Sequence, residues 1–505
     1  MELLYLVPSS VSQLFYKAGV LVVFSIITAF IFDFMKRKKT WTRYPTGPSG
    51  VPFFGNLLQV DMSKPHRSFT KLSKQYGGIY SLQFGWKNIV VLNGFKAIKE
   101  ALVKKSEDFA DRPIFPAFER IGFYGTHEGI MFAKYDKTFK EQRRFALTTL
   151  RNLGMGKRSI EERVAEEAIY LNAAFQMEKG SFDPHSRLLN GVSNVICSVV
   201  FGNRFDYKDS TFKELVNLLQ EELQHESGMT FELGNTFPWI YHFPGPHQKL
   251  LQIHKRIHTI LRTFIEAHKE TRVPCETRDY IDAFLEEIEK VKDENSSFNM
   301  TNLLLTAFDL FAAGVETTTT TLRWALLYML LRPDIQSKVH EEIDRVIGKE
   351  KHPRLEDHVN LPFTEAVIHE VQRYSETVPL TLPHMTYRDT EVMDFFIPKG
   401  TTIIPNLSSA LKDESFWKKP YEFYPENFLN SNGQFVKPEA FIPFSAGRRT
   451  CLGEQLAKVE LFLFFTSLMQ RFNIKLPKNE PLPKEEGYFR IFCTPYPFNI
   501  CAELR

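Results

Sequence analysis

Cysteine is scarce in this chain. Five occur among 505 residues, at Cys197, Cys275, Cys451, Cys493 and Cys501. The number is odd, there is no C-x-x-C spacing, and the density falls far short of a disulfide-stapled secreted domain, so a reducing compartment is indicated. Net charge is nearly absent as well: 63 Lys and Arg against 60 Asp and Glu leave a formal charge of +3. That balance marks neither a nucleic-acid binder nor an acidic solvating protein. Beyond residue 53 there is no repeat, no low-complexity tract and no Gly/Ser linker long enough to divide the chain. A single large domain is therefore the simplest reading, and the 43% hydrophobic content is ample for its core. Phe is abundant at 46 residues, as broad apolar interior surfaces or an ordinary aromatic core require.

Charge is scarce over one stretch in particular. From Ala18 to Met35 only Asp33 is ionisable, across about 18 residues, close to what a helix needs to cross a bilayer core. A cleaved signal peptide is the rival, but no small-x-small site follows, and Lys36-Arg37-Lys38-Lys39 comes directly after the apolar run. The basic cluster predicts a retained anchor over residues 1–35 with the bulk of the chain on the cytosolic side. Residues 36–52 then read as a basic, Pro/Gly-rich hinge. Pro45, Pro48 and Pro52 fix φ while Gly47, Gly50 and Gly55 permit turns, so neither a helix nor a central strand runs through; an ordinary loop fits the composition equally well.

The remainder is mainly α with small β-sheets. Helical periodicity marks Ser159 to Met177, Phe212 to His225, Lys249 to Glu270, Asn302 to Leu331, Leu361 to Tyr374 and Leu452 to Phe472. Strand-like runs are short: Ile79 to Phe84, Ile89 to Leu92 and Thr401 to Pro405.

One cysteine has special surroundings. FIPFSAGRRTCLGEQLAKVELFLFF joins a turn-rich loop to an apolar helix with Cys451 at the junction. The first amides of a helix lack partners and carry partial positive charge, so a sulfur beside them is stabilised as an anion. Gly447 and Gly453 clear space for a flat cofactor and close backbone approach, Arg449 can meet a carboxylate, and Phe444 can cover the sulfur. Singly, each is uninformative, and a lone intracellular Cys is ordinarily an inert packed residue. Together, Phe444, Gly447, Arg449, Cys451 and Gly453 match F-x-x-G-x-R-x-C-x-G, and the chain resembles the cytochrome P-450 superfamily.

The resemblance extends over nearly the whole chain, through the anchor, the hinge, KEQRRFALTTLRNLGMGKRSIEERV and the cysteine loop, and is closest to vertebrate microsomal members of family 2. It implies a P-450 fold with one haem domain over residues 53–505, haem b bound through Cys451, and an iron–thiolate centre catalysing monooxygenation. Ala313-Gly314-Val315-Glu316-Thr317 resembles the family's oxygen-side helix, where a loosened groove admits dioxygen and the Thr and acid help to deliver protons. Close helix packing at Gly314 is the structural alternative. Glu370 and Arg373 form E-x-x-R on one helix face, a pattern that is surface decoration in most isolated cases. In the family this pair braces the cysteine loop through a third residue, here Asn427 of Pro425-Glu426-Asn427-Phe428 in place of the usual Arg. Arg112, Arg143, His384 and Arg449 stand where relatives grip the haem propionates. Phe139 replaces the usual Trp of W-x-x-x-R and cannot donate an indole hydrogen bond, so haem retention is expected to be weaker.

The implied electron donor is NADPH-cytochrome P-450 reductase, with cytochrome b5 as an optional second. Lys134, Lys137, Lys140 and Arg144 are candidates to attract them, or simply a solvated helix face. Phe115, Phe118, Ile121, Leu305, Phe308, Asp309, Phe311, Ala312, Val378, Leu382 and Phe492 are candidate pocket walls, although each alone would serve equally as core. An apolar substrate follows, of the fatty acid, steroid or xenobiotic kind, in an endoplasmic reticulum membrane. Three other readings compete: a haem-thiolate peroxide isomerase, which the Glu316-Thr317 pair speaks against; a non-catalytic haem sensor; and an anchored scaffold without haem.

Overall fold

The computed structural model describes residues 9–37, 42–120, 128–155, 158–226, 229–273, 276–291 and 296–505. Cys275, Ile121, Lys38 and Lys39 lie outside them.

The anchor is a single helix, Ser9–Arg37, starting earlier than the apolar run alone indicates. Gln13–Phe32 is long and apolar enough to cross a membrane, and none of it is buried. The segment after it is not a free hinge. Pro45 O accepts a hydrogen bond from Ser81 Oγ at 2.7 Å, Thr46 O from Ser81 N at 3.1 Å, and Pro48 O from Asn56 Nδ2 at 3.0 Å. Gly47 lies so close to the strand that a Cβ would stand 1.9 Å from Ser81 O. The strap is thus docked on the body of the protein, and the boundary expected at residue 52 falls inside a packed region.

The six expected helices occur within two residues at each end, as Arg158–Gln176, Ser210–His225, His247–Thr271, Met300–Leu331, Pro362–Tyr374 and Glu454–Arg471. Asp209 and Asn299 cap the second and fourth, accepting from the N–H groups of Phe212 and Asn302 at 2.8 and 2.9 Å. A further helix, His185–Val200, packs along Met300–Leu331. Gly314 makes that approach possible: its missing Cβ would meet Ile196 Cδ1 at 2.6 Å.

The small sheet has four strands in the spatial order Ile79–Phe84, Lys87–Asn93, Thr402–Asn406, His384–Met385. The first two form a hairpin, the second and third run parallel with Val90 opposite Ile403, and His384 pairs antiparallel with Ile403. This last pairing sets His384 at the sheet edge facing the helical core. The large core is built on the long helix, with a second cluster under the sheet and the residue 407–442 region.

Candidate functional site

A cavity of about 390 Å³ lies between the long helix Met300–Leu331, the proximal helix Glu454–Arg471 with its preceding loop, and the roof helices Ser210–His225 and His247–Thr271. The long helix presents Phe308, Asp309, Ala312, Ala313, Gly314, Thr317, Thr318 and Thr321, a stripe at helical spacing.

Cys451 opens on this cavity, the only cysteine among the described residues to do so. The loop presents it by three local features. Gly447 has φ +77° and a Cβ there would strike Leu102 O at 1.7 Å, so this glycine is required by a close backbone approach. Cys451 N donates to Phe444 O at 3.0 Å. Gly453, just before Glu454–Arg471, has no atom nearer its missing Cβ than Cys451 Sγ at 4.0 Å. Cys451 is exposed to the cavity but enclosed away from bulk water, and this burial pushes the thiol pKa up. The N–H groups of Gly453 and Glu454 and the charge of Arg143 work in the opposite direction.

Four polar side chains collar the cavity. Arg112 donates through Nη1 to Leu382 O at 2.8 Å and Pro383 O at 2.9 Å, and through Nε to Met131 O at 3.2 Å. Arg449 donates to Ala110 O, Ile130 O and Ala133 O at 2.7, 3.1 and 2.6 Å. Arg143 Nη2 meets Thr450 O at 2.6 Å, and His384 Nδ1 meets Phe109 O at 2.7 Å. Each guanidinium is pulled down by burial. Arg112 and Arg449 are lowered further by neighbouring guanidiniums, with Asp111 offsetting both. Burial and the charges of Arg112 and Arg449 push His384 well down, despite its bond to Phe109. Crowded buried cations call for anionic charge. The two propionates of haem supply it at the right end of a cavity whose wall holds a sulfur, so these residues fit the group. Phe139 supports the collar from beneath: the Arg449 guanidinium lies 3.5 Å from its ring centroid.

The expected proton groups divide. Thr317 borders the cavity and its Oγ1 donates to Ala313 O at 2.9 Å. Glu316 is buried off the cavity wall, accepting from Gln220 Nε2 at 2.6 Å and Thr320 Oγ1 at 3.1 Å. Burial raises its pKa. The helix is continuous through Ala313–Thr317 although Thr317, Thr319 and Thr321 all bond back to the carbonyl four residues earlier.

Glu370 and Arg373 are fully buried and paired twice at 2.7 Å. Arg373 then binds the carbonyls of Leu411, Pro420 and Glu422. Asn427 Nδ2 reaches Glu370 at 3.3 and 3.4 Å, long contacts in keeping with a neutral substitute. The brace therefore ties down residues 411–427, and none of these bonds reaches the cysteine loop itself.

Of the expected walls, Phe118, Phe308, Asp309, Ala312, Val378, Leu382 and Phe492 line the cavity. Phe115, Leu305 and Phe311 do not. Phe115 lies behind, edge-on to Phe118 and Phe132, Leu305 is core, and Phe311 faces Phe201 on the opposite side of the helix. Asp309 accepts from the N–H groups of Ile130 and Met131 at 2.8 and 3.0 Å, fixing the wall that follows residue 128. Glu222, Glu226 and His254 also border the cavity and were not anticipated. Their signal is phase: Glu222 follows Phe212, Leu215 and Leu219 on the buried stripe, and His254 follows Leu250 and Ile253.

A mainly helical fold that brings one cysteine and a collar of buried cations to an apolar cavity defines a haem-thiolate protein. The cytochrome P450 family model matches residues 45–502, and the chain belongs to that family. It is similar to cytochrome P450 2D15 of Canis lupus familiaris, 49% identical over 96% of this chain and 98% of the relative. Cytochrome P450 2D3 of Rattus norvegicus is 49% identical over 95% and 97%, and cytochrome P450 2D26 of Mus musculus 48% over 96% and 98%. The protein is thus a membrane-anchored microsomal-type monooxygenase of family 2, an oxidoreductase that uses haem b, takes electrons from NADPH through a redox partner and acts on apolar substrates.

Proposed function

We propose that Cys451 is the iron ligand, that Arg112, Arg143, Arg449 and His384 hold the propionates, and that Phe444, Gly447 and Gly453 shape the loop around the sulfur. The observation that carries this reading is the single cavity-facing cysteine among the described residues, beside a collar of buried guanidiniums. Haem with a thiolate ligand supplies the electron push that favours O–O cleavage and monooxygenation.

The chain's own residues do the rest. The apolar walls exclude water and hold the substrate by its surface. Thr317, its hydroxyl anchored on Ala313 O, stands at the cavity to pass a proton. Glu316 is the acid behind it, kept protonation-ready by burial, and its carboxyl reaches Thr317 only when the Gln220 contact opens. Glu370, Arg373 and Asn427 fix residues 411–427. Residues 1–35 anchor, residues 36–52 connect, and residues 53–505 catalyse.

The membrane is that of the endoplasmic reticulum with the catalytic domain cytosolic, supported by the basic residues that follow the span. NADPH-cytochrome P-450 reductase is the donor, with cytochrome b5 as second. Lys137, Lys140 and Arg144 on the helix Lys137–Asn152 are the cations offered to them. The pairs Lys137–Glu141 and Lys140–Glu107, at 3.6 and 3.8 Å, are exposed and weakly held. Lys134 is withdrawn from this role because its Nζ donates to Arg112 O at 2.7 Å. Turnover of fatty acid, steroid or drug probes in reductase-containing vesicles tests the reading. Product that depends on NADPH supports it. Product formed only from peroxide substrates, without reductase, would favour the isomerase reading, and no product with any donor would favour the sensor.

A further inference from the structure

Two carboxylates and an imidazole meet in the roof of the cavity, away from the thiolate. Glu222 lies in the last turn of Ser210–His225, Glu226 caps that helix, and His254 reaches them from His247–Thr271. His254 Nδ1 is 3.3 Å from Glu222 Oε1 and Nε2 is 3.4 Å from Glu226 Oε1, with the three side chains 1%, 3% and 9% exposed in the order His254, Glu222, Glu226. One ligand atom from each lies within 4.8 Å of the others. A separate feature points to a ligand: Glu222 borders the cavity and is 2% exposed, yet its Oε2 has no hydrogen-bond partner. A buried carboxylate oxygen left this way is costly unless a cation or donor reaches it.

We propose that Glu222, Glu226 and His254 form a binding site for a divalent transition metal of the zinc class, with a remaining coordination position turned toward the cavity. The donor set selects the class, since an imidazole with two carboxylates suits zinc, whereas calcium and magnesium prefer oxygen alone. The spacing agrees: zinc bonds of 2.0–2.2 Å in a tetrahedron put adjacent donors roughly 3.3 Å apart. In the site His254 Nε2 and Glu226 Oε1 take the ion. Glu222 leaves Nδ1 and swings its unpartnered Oε2 to the metal as the third protein ligand. With metal bound, the roof offers substrate a Lewis acid in place of an acidic pair, so occupancy changes which molecules the cavity accepts. Nothing in this site depends on the assignment of Cys451.

The test is zinc binding by the full-length holoenzyme, free of any polyhistidine tag and stripped with chelator, measured as zinc retained per haem iron after equilibrium dialysis. One zinc per haem is expected, weakened about tenfold or more in Glu222→Gln and in His254→Gln, with the reduced carbon monoxide spectrum unchanged. Absence of retained zinc in the wild type, or wild-type zinc in both variants, overturns the site. Calcium binding as tightly as zinc overturns the metal class. Zinc X-ray absorption on the wild type reads the ligands without any variant: an imidazole nitrogen with oxygens is expected, and a sulfur shell overturns the assignment.

Discussion

The Arg449 guanidinium lies over the Phe139 ring, 3.5 Å from its centroid, while its nitrogens hold the carbonyls of Ala110, Ile130 and Ala133. Phe139 is therefore a platform for the collar, although it cannot donate a hydrogen bond into the cavity. Replacing it with Trp adds that donor, worth about 1 kcal/mol. Phe139→Trp is expected to slow haem loss roughly fivefold in an apomyoglobin transfer assay, and Phe139→Ala to speed it. Equal off-rates for wild type and Phe139→Trp would contradict the account.

Glu370 and Arg373 are a fully buried bidentate pair whose outer bonds organise residues 411–424. Arg373→Ala strands a buried carboxylate, at a cost of about 3–5 kcal/mol. Little folded, haem-containing protein should accumulate. Asn427→Ala removes two long contacts to Glu370 and the acceptor of the Lys419 N–H at 3.2 Å, so a loss of about 1 kcal/mol in denaturant midpoint analysis is expected.

Much of this site is legible in the sequence because its chemistry is local. Phe444 to Gly453 is one turn-rich loop, and the helix that follows has an apolar run no other element could bury. The rest depends on which helices meet. Gly314 reads as a groove former, but its missing Cβ is claimed by Ile196 from a helix the periodicity did not single out. Gly447 is required by a carbonyl more than three hundred residues away, that of Leu102. Glu316 and Thr317 are adjacent in sequence, yet successive helical residues diverge by about 100°, and the acid turns to Gln220. Phe308 and Phe311 are equally apolar, and helix phase alone sends one to the cavity and the other to Phe201.

Glu460, on the proximal helix, is buried with Thr318 Oγ1 at 3.2 Å, and burial pushes its pKa up to about 8. Such a carboxyl holds its proton more tightly folded than unfolded, so its contribution to stability is full below pH 4.5 and is lost as pH rises through about 8. The span is on the order of 5 kcal/mol. Glu460→Gln should flatten this slope in thermal unfolding of the holoenzyme and make the variant the more stable protein at about pH 8. An unchanged slope would show that the carboxyl is ionised throughout.

Thr317 borders the cavity and Glu316 does not. Thr317→Ala is accordingly expected to lower product formed per NADPH consumed by about tenfold or more, with the balance recovered as peroxide. Glu316→Gln retains the Gln220 and Thr320 contacts and should cost less. The reverse order of effects would place the acid, not the hydroxyl, nearest the chemistry.

The assignment of Cys451 is tested most directly by the carbon monoxide spectrum of the reduced protein, recorded for the wild type and for Cys451→Ala. The account predicts the red-shifted Soret band that gives the family its name in the wild type, and its complete loss in Cys451→Ala. An unshifted band in the wild type, or a shifted band that survives the substitution, would contradict it.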